Sequence, residues 1–122
     1  MATCEVCFRH CELQTGQRGF CGARIFRDGA VHADNYGKVT SLALDPIEKK
    51  PLCRFRPGSR ILSVGSYGCN LRCPFCQNHE ISWGDEVKSL SSAAEYISPE
   101  DLAFMAAYYR QKGNIGVAYT YN

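Results

Sequence analysis

The sequence predicts an α/β fold for the second half of the chain, and three patterns support that prediction. The apolar run ILSVG at residues 61–65 is bounded by turn residues, as expected of a buried strand. The segment SPED at residues 98–101 has the residue types of a helix start, and Gly113 supplies a stop. The run IGVAYTY at residues 115–121 is typical of a strand that is apolar on both faces. A strand, a helix and a strand in this order form one βαβ crossover, whose two strands are parallel.

The first half of the chain is predicted to be rich in β-structure. The stretch ARIFRDGAVHA predicts a hairpin that turns at Arg27-Asp28-Gly29, and KVTSLAL at residues 38–44 predicts a further strand. Residues 82–97 are polar and serine-rich, so we expect a loop with one helical turn there. The chain therefore divides into three parts, namely a cysteine-rich knuckle at 1–22, a β-rich connection at 23–60 and the βαβ unit at 61–122.

Charge and hydropathy argue against two classes of partner. The formal net charge of the 122 residues is only +2, and the longest basic run is Lys49–Lys50, so nucleic-acid binding is not expected. No segment has the roughly 20 apolar residues of a membrane span, and the N-terminus lacks a signal-peptide core. We therefore expect a cytoplasmic protein without a membrane partner. In that reducing compartment, eight cysteines indicate metal ligands rather than disulfides.

The stretch GCNLRCPFCQN, residues 68–78, carries three cysteines at C-x3-C-x2-C spacing: Cys69, Cys73 and Cys76. A [4Fe–4S] cluster held by only three thiolates leaves one iron open to another ligand. Gly68 allows a tight turn into this loop, and Pro74 stiffens it. The alternatives are a zinc site that recruits Cys53 or His79 as its fourth ligand, and a plain electron-transfer cluster.

The knuckle carries a second group of cysteines at C-x2-C-x3-C-x9-C spacing, namely Cys4, Cys7, Cys11 and Cys21. Four closely spaced thiolates suit a closed structural zinc site. A second iron–sulfur cluster that passes electrons to the first, and thiols without a metal, are the alternatives. His10 could replace one of these cysteines, although a surface histidine is the simpler interpretation. Cys53, which stands alone, is interpreted as a small buried apolar residue.

The cysteine motif and its surroundings resemble a known family. CNLRCPFC, with an aromatic residue before its last cysteine, resembles the cluster motif of radical S-adenosylmethionine enzymes. The N-terminal C-x2-C-x3-C, GQRGFCGAR, NYGKVTSLALDPIEKKPL, PGS, GCNLRCPFCQNHEIS and AYTYN are similar to the radical enzyme of the AmmeMemoRadiSam system. That subfamily itself resembles the activating enzymes of pyruvate formate-lyase. Cys53 departs from the pattern, which has an aromatic residue after KPL.

The resemblance implies a fold, a cofactor set and a reaction. The fold is the start of a partial (β/α) barrel, and the chain is its N-terminal fragment, because a Glu-Pro that follows AYTYN in the family lies beyond Asn122. Cys69, Cys73 and Cys76 would hold a [4Fe–4S] cluster whose fourth iron binds S-adenosylmethionine. Reductive cleavage would then give a 5′-deoxyadenosyl radical that abstracts hydrogen. Phe75 would lie beside the adenine, and Asn78 would either contact S-adenosylmethionine or cap the next helical turn.

The resemblance also implies partners. Activating enzymes act on proteins through a glycyl radical, the AmmeMemoRadiSam system implies a Memo-like partner, and the cluster implies an electron donor such as flavodoxin or ferredoxin. The fragment alone is expected to be inactive. A function of a different class remains open, namely a non-catalytic module that binds zinc or iron–sulfur clusters through both cysteine groups.

Overall fold

A computed structural model describes residues 1–122 and shows a mixed α/β protein with short elements. The strands are β1 (Ala2–Thr3), β2 (Glu12–Leu13), β3 (Arg24–Arg27), β4 (Ala30–Ala33), β5 (Lys38–Val39), β6 (Ser41–Pro46), β7 (Arg60–Gly65), β8 (Glu95–Tyr96) and β9 (Asn114–Tyr121). The helices are α1 (His79–Ser82), α2 (Val87–Ala93) and α3 (Pro99–Tyr108), with 3₁₀ turns at Ile47–Lys49 and Tyr109–Lys112. None of the helices has the length and apolarity needed to cross a membrane.

The largest sheet confirms the predicted βαβ crossover. Its order is β6-β7-β9, with β7 parallel to β9 and antiparallel to β6. Helix α3 covers one face of this sheet, where Leu102 packs against Leu62 and Val64 in a buried cluster. The remaining sheets have two strands each, and no sheet closes into a barrel.

The ends of α3 follow the sequence signals. The Ser98 hydroxyl accepts a hydrogen bond from the Asp101 amide at 3.0 Å, and Pro99 opens the first turn. After the 3₁₀ turn, Gly113 adopts φ +86°, the left-handed conformation that ends helices. Both boundaries are therefore set by local chemistry.

The predicted β-structure of the first half is present with one change. Strands β3 and β4 form the expected hairpin, and its turn residues Asp28 and Gly29 both have positive φ. The single strand predicted at 38–44 is divided, because Thr40 leaves the regular pairing: its amide bonds to the Gly65 carbonyl and its hydroxyl to the Ser66 carbonyl, each at 2.9 Å. Strand β5 consequently pairs with β8, while β6 pairs with β7.

The loop with one helical turn predicted over 82–97 is more regular than expected, since the seven-residue helix α2 and the strand β8 occupy most of it. Helix α2 buries Val87 against Gly22, where an added Cβ would lie 3.0 Å from the Val87 methyl. Tyr96 of β8 covers Gly37 in the same way. Both elements are therefore stabilised by contacts with glycines that are distant in the sequence. The local pattern of residues 82–97 does not predict these contacts.

Candidate metal centre

The trio of Cys69, Cys73 and Cys76 lies on the loop that follows β7. At the carboxyl end of β9, the Tyr121 carbonyl accepts from the Ser66 amide at 2.8 Å, and the Asn122 side-chain amide donates to the Gly68 carbonyl at 3.1 Å. The trio loop, residues 68–78, therefore begins where two parallel strands end together. This edge of an α/β sheet is the usual place for a functional site.

A buried polar network holds the residue before the loop. Tyr67 is fully buried, and its hydroxyl donates to an Asp34 carboxylate oxygen at 2.9 Å. Arg18 donates to the same oxygen at 2.6 Å, and the Asn35 side-chain amide donates to the Tyr67 carbonyl at 3.0 Å. Burial, and then the Asp34 carboxylate, raises the pKa of Tyr67 to about 12. Burial also raises the pKa of Asp34, but the hydrogen bonds from Arg18 and Tyr67 outweigh it and keep this pKa below its usual 3.8.

Gly68 is the tightest point of the loop. Its φ is +90°, and an added Cβ would lie 2.6 Å from the Cys21 carbonyl oxygen and 2.7 Å from the Ala23 Cβ. Its amide donates to the Ile81 carbonyl at 2.8 Å, and the Cys69 amide donates to the Cys21 carbonyl at 3.1 Å. The chain therefore enters the loop pressed against the knuckle, which supports the role given to Gly68 from the sequence.

The tip of the loop is open to solvent. Leu71 is 48% exposed and Phe75 is 84% exposed. The three thiols of the trio are free and half-buried. Their polar contacts are weak: the Leu71 amide lies 3.5 Å from the Cys69 sulfur, and the Cys76 thiol lies 3.8 Å from the Ser82 hydroxyl. The tip thus combines accessible thiols with an exposed aromatic ring.

Asn78 and His79 follow the trio at the start of α1. Asn78 occupies the N-cap position, but its side chain makes no capping hydrogen bond, so the alternative of a side-chain cap is wrong. Its carbonyl accepts from the Ile81 and Ser82 amides. His79 is exposed, with its ring centroid 5.9 Å from that of Trp83. The Asn78 side chain therefore remains free of the helix that follows it.

All four knuckle cysteines line one cavity of about 210 Å³, together with Cys69. The β1–β2 hairpin places Cys4 beside Cys11, since the Cys4 amide donates to the Cys11 carbonyl at 2.9 Å. Cys21 comes from a second turn, closed by a bond from the Gly22 amide to the Gly19 carbonyl. The cavity thus places the four knuckle cysteines beside Cys69 of the trio, although the two groups lie far apart in the sequence.

The thiols that line the cavity do not converge on a common point. No three Cys, His, Asp or Glu side chains have the arrangement that holds a metal ion. Each cysteine sulfur, however, turns on a single bond and can change rotamer without moving the backbone. All eight thiols are free, and thiolates are the ligands that zinc and iron–sulfur clusters prefer. The donor set fits such groups, and binding requires the side chains to turn inward.

The remaining candidates lie elsewhere. Cys53 is exposed, so its interpretation as a buried apolar residue is wrong: the connector after β6 runs over the surface. It is also absent from the cavity lined by the other cysteines. His10 is a surface residue whose imidazole lies 3.2 Å from Glu5.

Sequence reasoning missed several neighbours of the trio loop. Asn35 and Asn122 line the shared cavity, and Arg9 donates to the Asn70 carbonyl at 2.8 Å. A signal was present for two of them: Asn35 opens NYGKVTSLALDPIEKKPL and Asn122 closes AYTYN, both segments that carry the family resemblance. Only the fold shows that they meet at one site.

Comparison with known proteins gives one informative relative. An uncharacterized protein of Methanocaldococcus jannaschii is 42% identical over 120 residues, which cover 97% of this chain and 34% of that protein. The chain therefore spans about a third of the length of this relative. No family model matches the chain, and no solved structure matches it.

Proposed function

We propose that the chain is the cluster-binding part of a radical S-adenosylmethionine enzyme of the AmmeMemoRadiSam type. The observation that carries the proposal is the position of three free thiols, Cys69, Cys73 and Cys76, on one exposed loop where β7 and β9 end together. These thiols would hold a [4Fe–4S] cluster. When bound, the cluster would supply one electron to cleave S-adenosylmethionine and give a 5′-deoxyadenosyl radical for hydrogen abstraction.

The residues of this chain position and surround that group. Tyr67 and Gly68 are held by hydrogen bonds from several elements, so Cys69 starts from a rigid base. The loop tip is less constrained, which leaves Cys73 and Cys76 free to adjust to a ligand. Phe75, exposed beside them, offers a flat apolar surface for the adenine, and the Asn78 amide offers hydrogen bonds to S-adenosylmethionine.

The parallel pair β7–β9 supports the start of a partial (β/α) barrel. Antiparallel β6 occupies one edge of β7 and parallel β9 occupies the other, so a further parallel strand would join the sheet beyond β9. The edge of β9 that faces away from β7 has no partner strand, and Tyr119 of β9 is 79% exposed. Further βα units would extend the sheet at that edge and complete the cofactor pocket.

The wider setting of the proposal comes from the family resemblance. The substrate would be a protein, reached through a glycyl radical or as a Memo-like partner, and the electron would come from a flavodoxin or ferredoxin in the cytoplasm. The open loop tip favours this arrangement, because both a donor and a large substrate need access to the cluster.

The test is metal and sulfide analysis after anaerobic reconstitution. The chain should bind about four iron and four sulfide through the trio, and S-adenosylmethionine should alter the EPR spectrum of the reduced cluster. Cys73→Ala should lose the iron and sulfide, while Cys53→Ala, which changes an exposed cysteine outside the cavity, should keep them.

The competing function is a non-catalytic metal module, favoured by the cavity that the knuckle cysteines share with Cys69. It predicts zinc, or an iron–sulfur cluster that does not respond to S-adenosylmethionine, in the two cysteine sites. Zinc without iron or sulfide after reconstitution, or a cluster that does not respond to S-adenosylmethionine, would favour this module and reject the radical enzyme.

A further inference from the structure

The knuckle is built from two tight turns that face one cavity. The β1–β2 pairing places Cys4 opposite Cys11, and the turn between them carries Cys7, whose carbonyl accepts from the His10 amide at 3.2 Å. His10 has φ +41°, a left-handed conformation unusual for a residue other than glycine. Cys21 approaches from the second turn. Two turns that present thiols to each other are typical of sites that bind one tetrahedral ion.

The close pairing of Cys4 and Cys11 favours a single ion over a cluster. Directly opposed residues of an antiparallel pair have Cα atoms about 5 Å apart, so their sulfurs can reach one centre. Zinc–sulfur bonds are about 2.3 Å long and need that proximity. A cubane spreads its thiolates around a larger inorganic core. Gly19 lines the same cavity beside Cys11, and an added Cβ there would make an ordinary contact with the Cys11 sulfur at 3.7 Å.

The β1–β2 hairpin has only a small apolar core. Strands β1 and β2 have two residues each, and the buried cluster beneath them contains only Cys4, Leu13 and Phe26. Val6 and Phe8 in the turn are 63% and 65% exposed. Short hairpins are marginal without a cross-link, and the knuckle cysteines form no disulfide. A bound ion would supply the missing constraint.

The same segment forms one wall of the trio loop. The Cys21 carbonyl accepts from the Cys69 amide at 3.1 Å. Two guanidinium groups contact the ring of Phe20. The guanidinium carbon of Arg9 lies 3.3 Å from the ring centre, and that of Arg72 lies 4.2 Å from it. Anything that fixes the turn carrying Phe20 and Cys21 therefore also fixes the first half of the trio loop.

We propose that Cys4, Cys7, Cys11 and Cys21 bind one zinc ion, and that this zinc site holds the trio loop in place through Cys21 and Phe20. The ion has a structural role and carries no electrons to the trio. The proposal concerns the knuckle alone and does not depend on what the trio binds.

The first test uses Co²⁺ as a spectroscopic substitute for zinc. A variant with Cys69, Cys73 and Cys76 all changed to Ala should bind one Co²⁺ per chain with the absorption of a tetrahedral thiolate site, and zinc should displace it. The same change at Cys4 and Cys21 should abolish that spectrum, whereas Cys53→Ala should not alter it. Loss of the spectrum in the trio variant, or iron and sulfide bound by the knuckle after reconstitution, would overturn the assignment.

The second test measures hydrogen exchange in the trio variant, which retains the amide of residue 69. Zinc should slow exchange at this amide by about tenfold or more, because a fixed Cys21 carbonyl would make local opening of this hydrogen bond rarer. Amides of the β7–β9 pair should be unaffected. Zinc binding with unchanged exchange at residue 69 would refute the supporting role, and the Co²⁺ spectrum separates that result from a knuckle that fails to fold.

Discussion

Gly68 shows how one residue connects the two cysteine groups. Its positive φ turns the chain toward the trio, and its missing side chain lets Cys21 and Ala23 approach the backbone. The loop and the knuckle are then close enough for the Cys69 amide to bond to the Cys21 carbonyl. A glycine at this position therefore permits both the positive φ and the close approach of the knuckle backbone.

The two roles can be separated by a pair of substitutions. Gly68→Ala combines backbone strain with a steric clash, so we expect a loss of about 3 kcal/mol or more in unfolding free energy. Gly16→Ala is the matched control, because Gly16 has φ +79° with no atom near the added Cβ, and it should cost about 1 kcal/mol. Urea denaturation measures both. Equal losses would show that the clash at Gly68 is relieved by movement of the knuckle.

At the scale of elements, helix α3 owes its position to local signals as well as to packing. The Ser98 hydroxyl accepts from the Asp101 amide and donates to the Asp101 carboxylate at 2.8 Å, so two hydrogen bonds hold the first turn of the helix. Leu102, one turn later, buries its side chain on β7. Helix α2 has no side-chain cap and buries only Val87, so its stability depends on the knuckle against which it packs.

The cap of α3 can be tested directly. Ser98→Ala removes the acceptor for the Asp101 amide and should lower the unfolding free energy by about 1 kcal/mol. Ser92→Ala is the control: this exposed serine of α2 bonds only to the Ser89 carbonyl, and alanine is a better helix former. Thermal unfolding followed by circular dichroism should show a lower midpoint for Ser98→Ala alone. A similar shift in both variants would argue against the cap.

At the scale of the whole molecule, two buried carboxylates join segments that are distant in sequence. Asp34 connects the knuckle, through Arg18, to the start of the trio loop. Asp45 accepts from Lys50 at 2.9 Å, from Ser63 at 2.7 Å and from the Tyr121 hydroxyl at 3.2 Å, so it connects β6, β7 and β9. Burial raises the pKa of Asp45, but hydrogen bonds from Ser63, Lys50 and Lys49 outweigh it and keep this pKa well below its usual 3.8.

These pKa values predict acid sensitivity. Because both carboxyls have lower pKa values in the folded state, the stability they contribute is complete above their unfolded pKa of about 3.9 and is lost as the pH falls below it. The unfolding free energy should therefore decrease from about pH 5 downward. Asp45→Asn should lower stability at pH 7 and flatten this acid dependence, and Asp28→Asn, at an exposed hairpin turn, should preserve it. An equally steep decrease in Asp45→Asn would assign the effect to other groups.

The sequence by itself determined the features that depend on neighbouring residues: the Asp28-Gly29 hairpin, the capped helix α3, the positions of strands β7 and β9 and the two sets of cysteines. Each follows from a turn conformation, a cap or a periodicity that acts over a few positions. The tertiary structure alone decided the division of residues 38–44, the helix at Val87–Ala93, the exposure of Cys53 and the meeting of Cys21 with Cys69. Apart from the exposure of Cys53, these features depend on contacts between segments far apart in the sequence, as between Cys21 and Cys69, and no local pattern encodes which distant backbone a residue will meet.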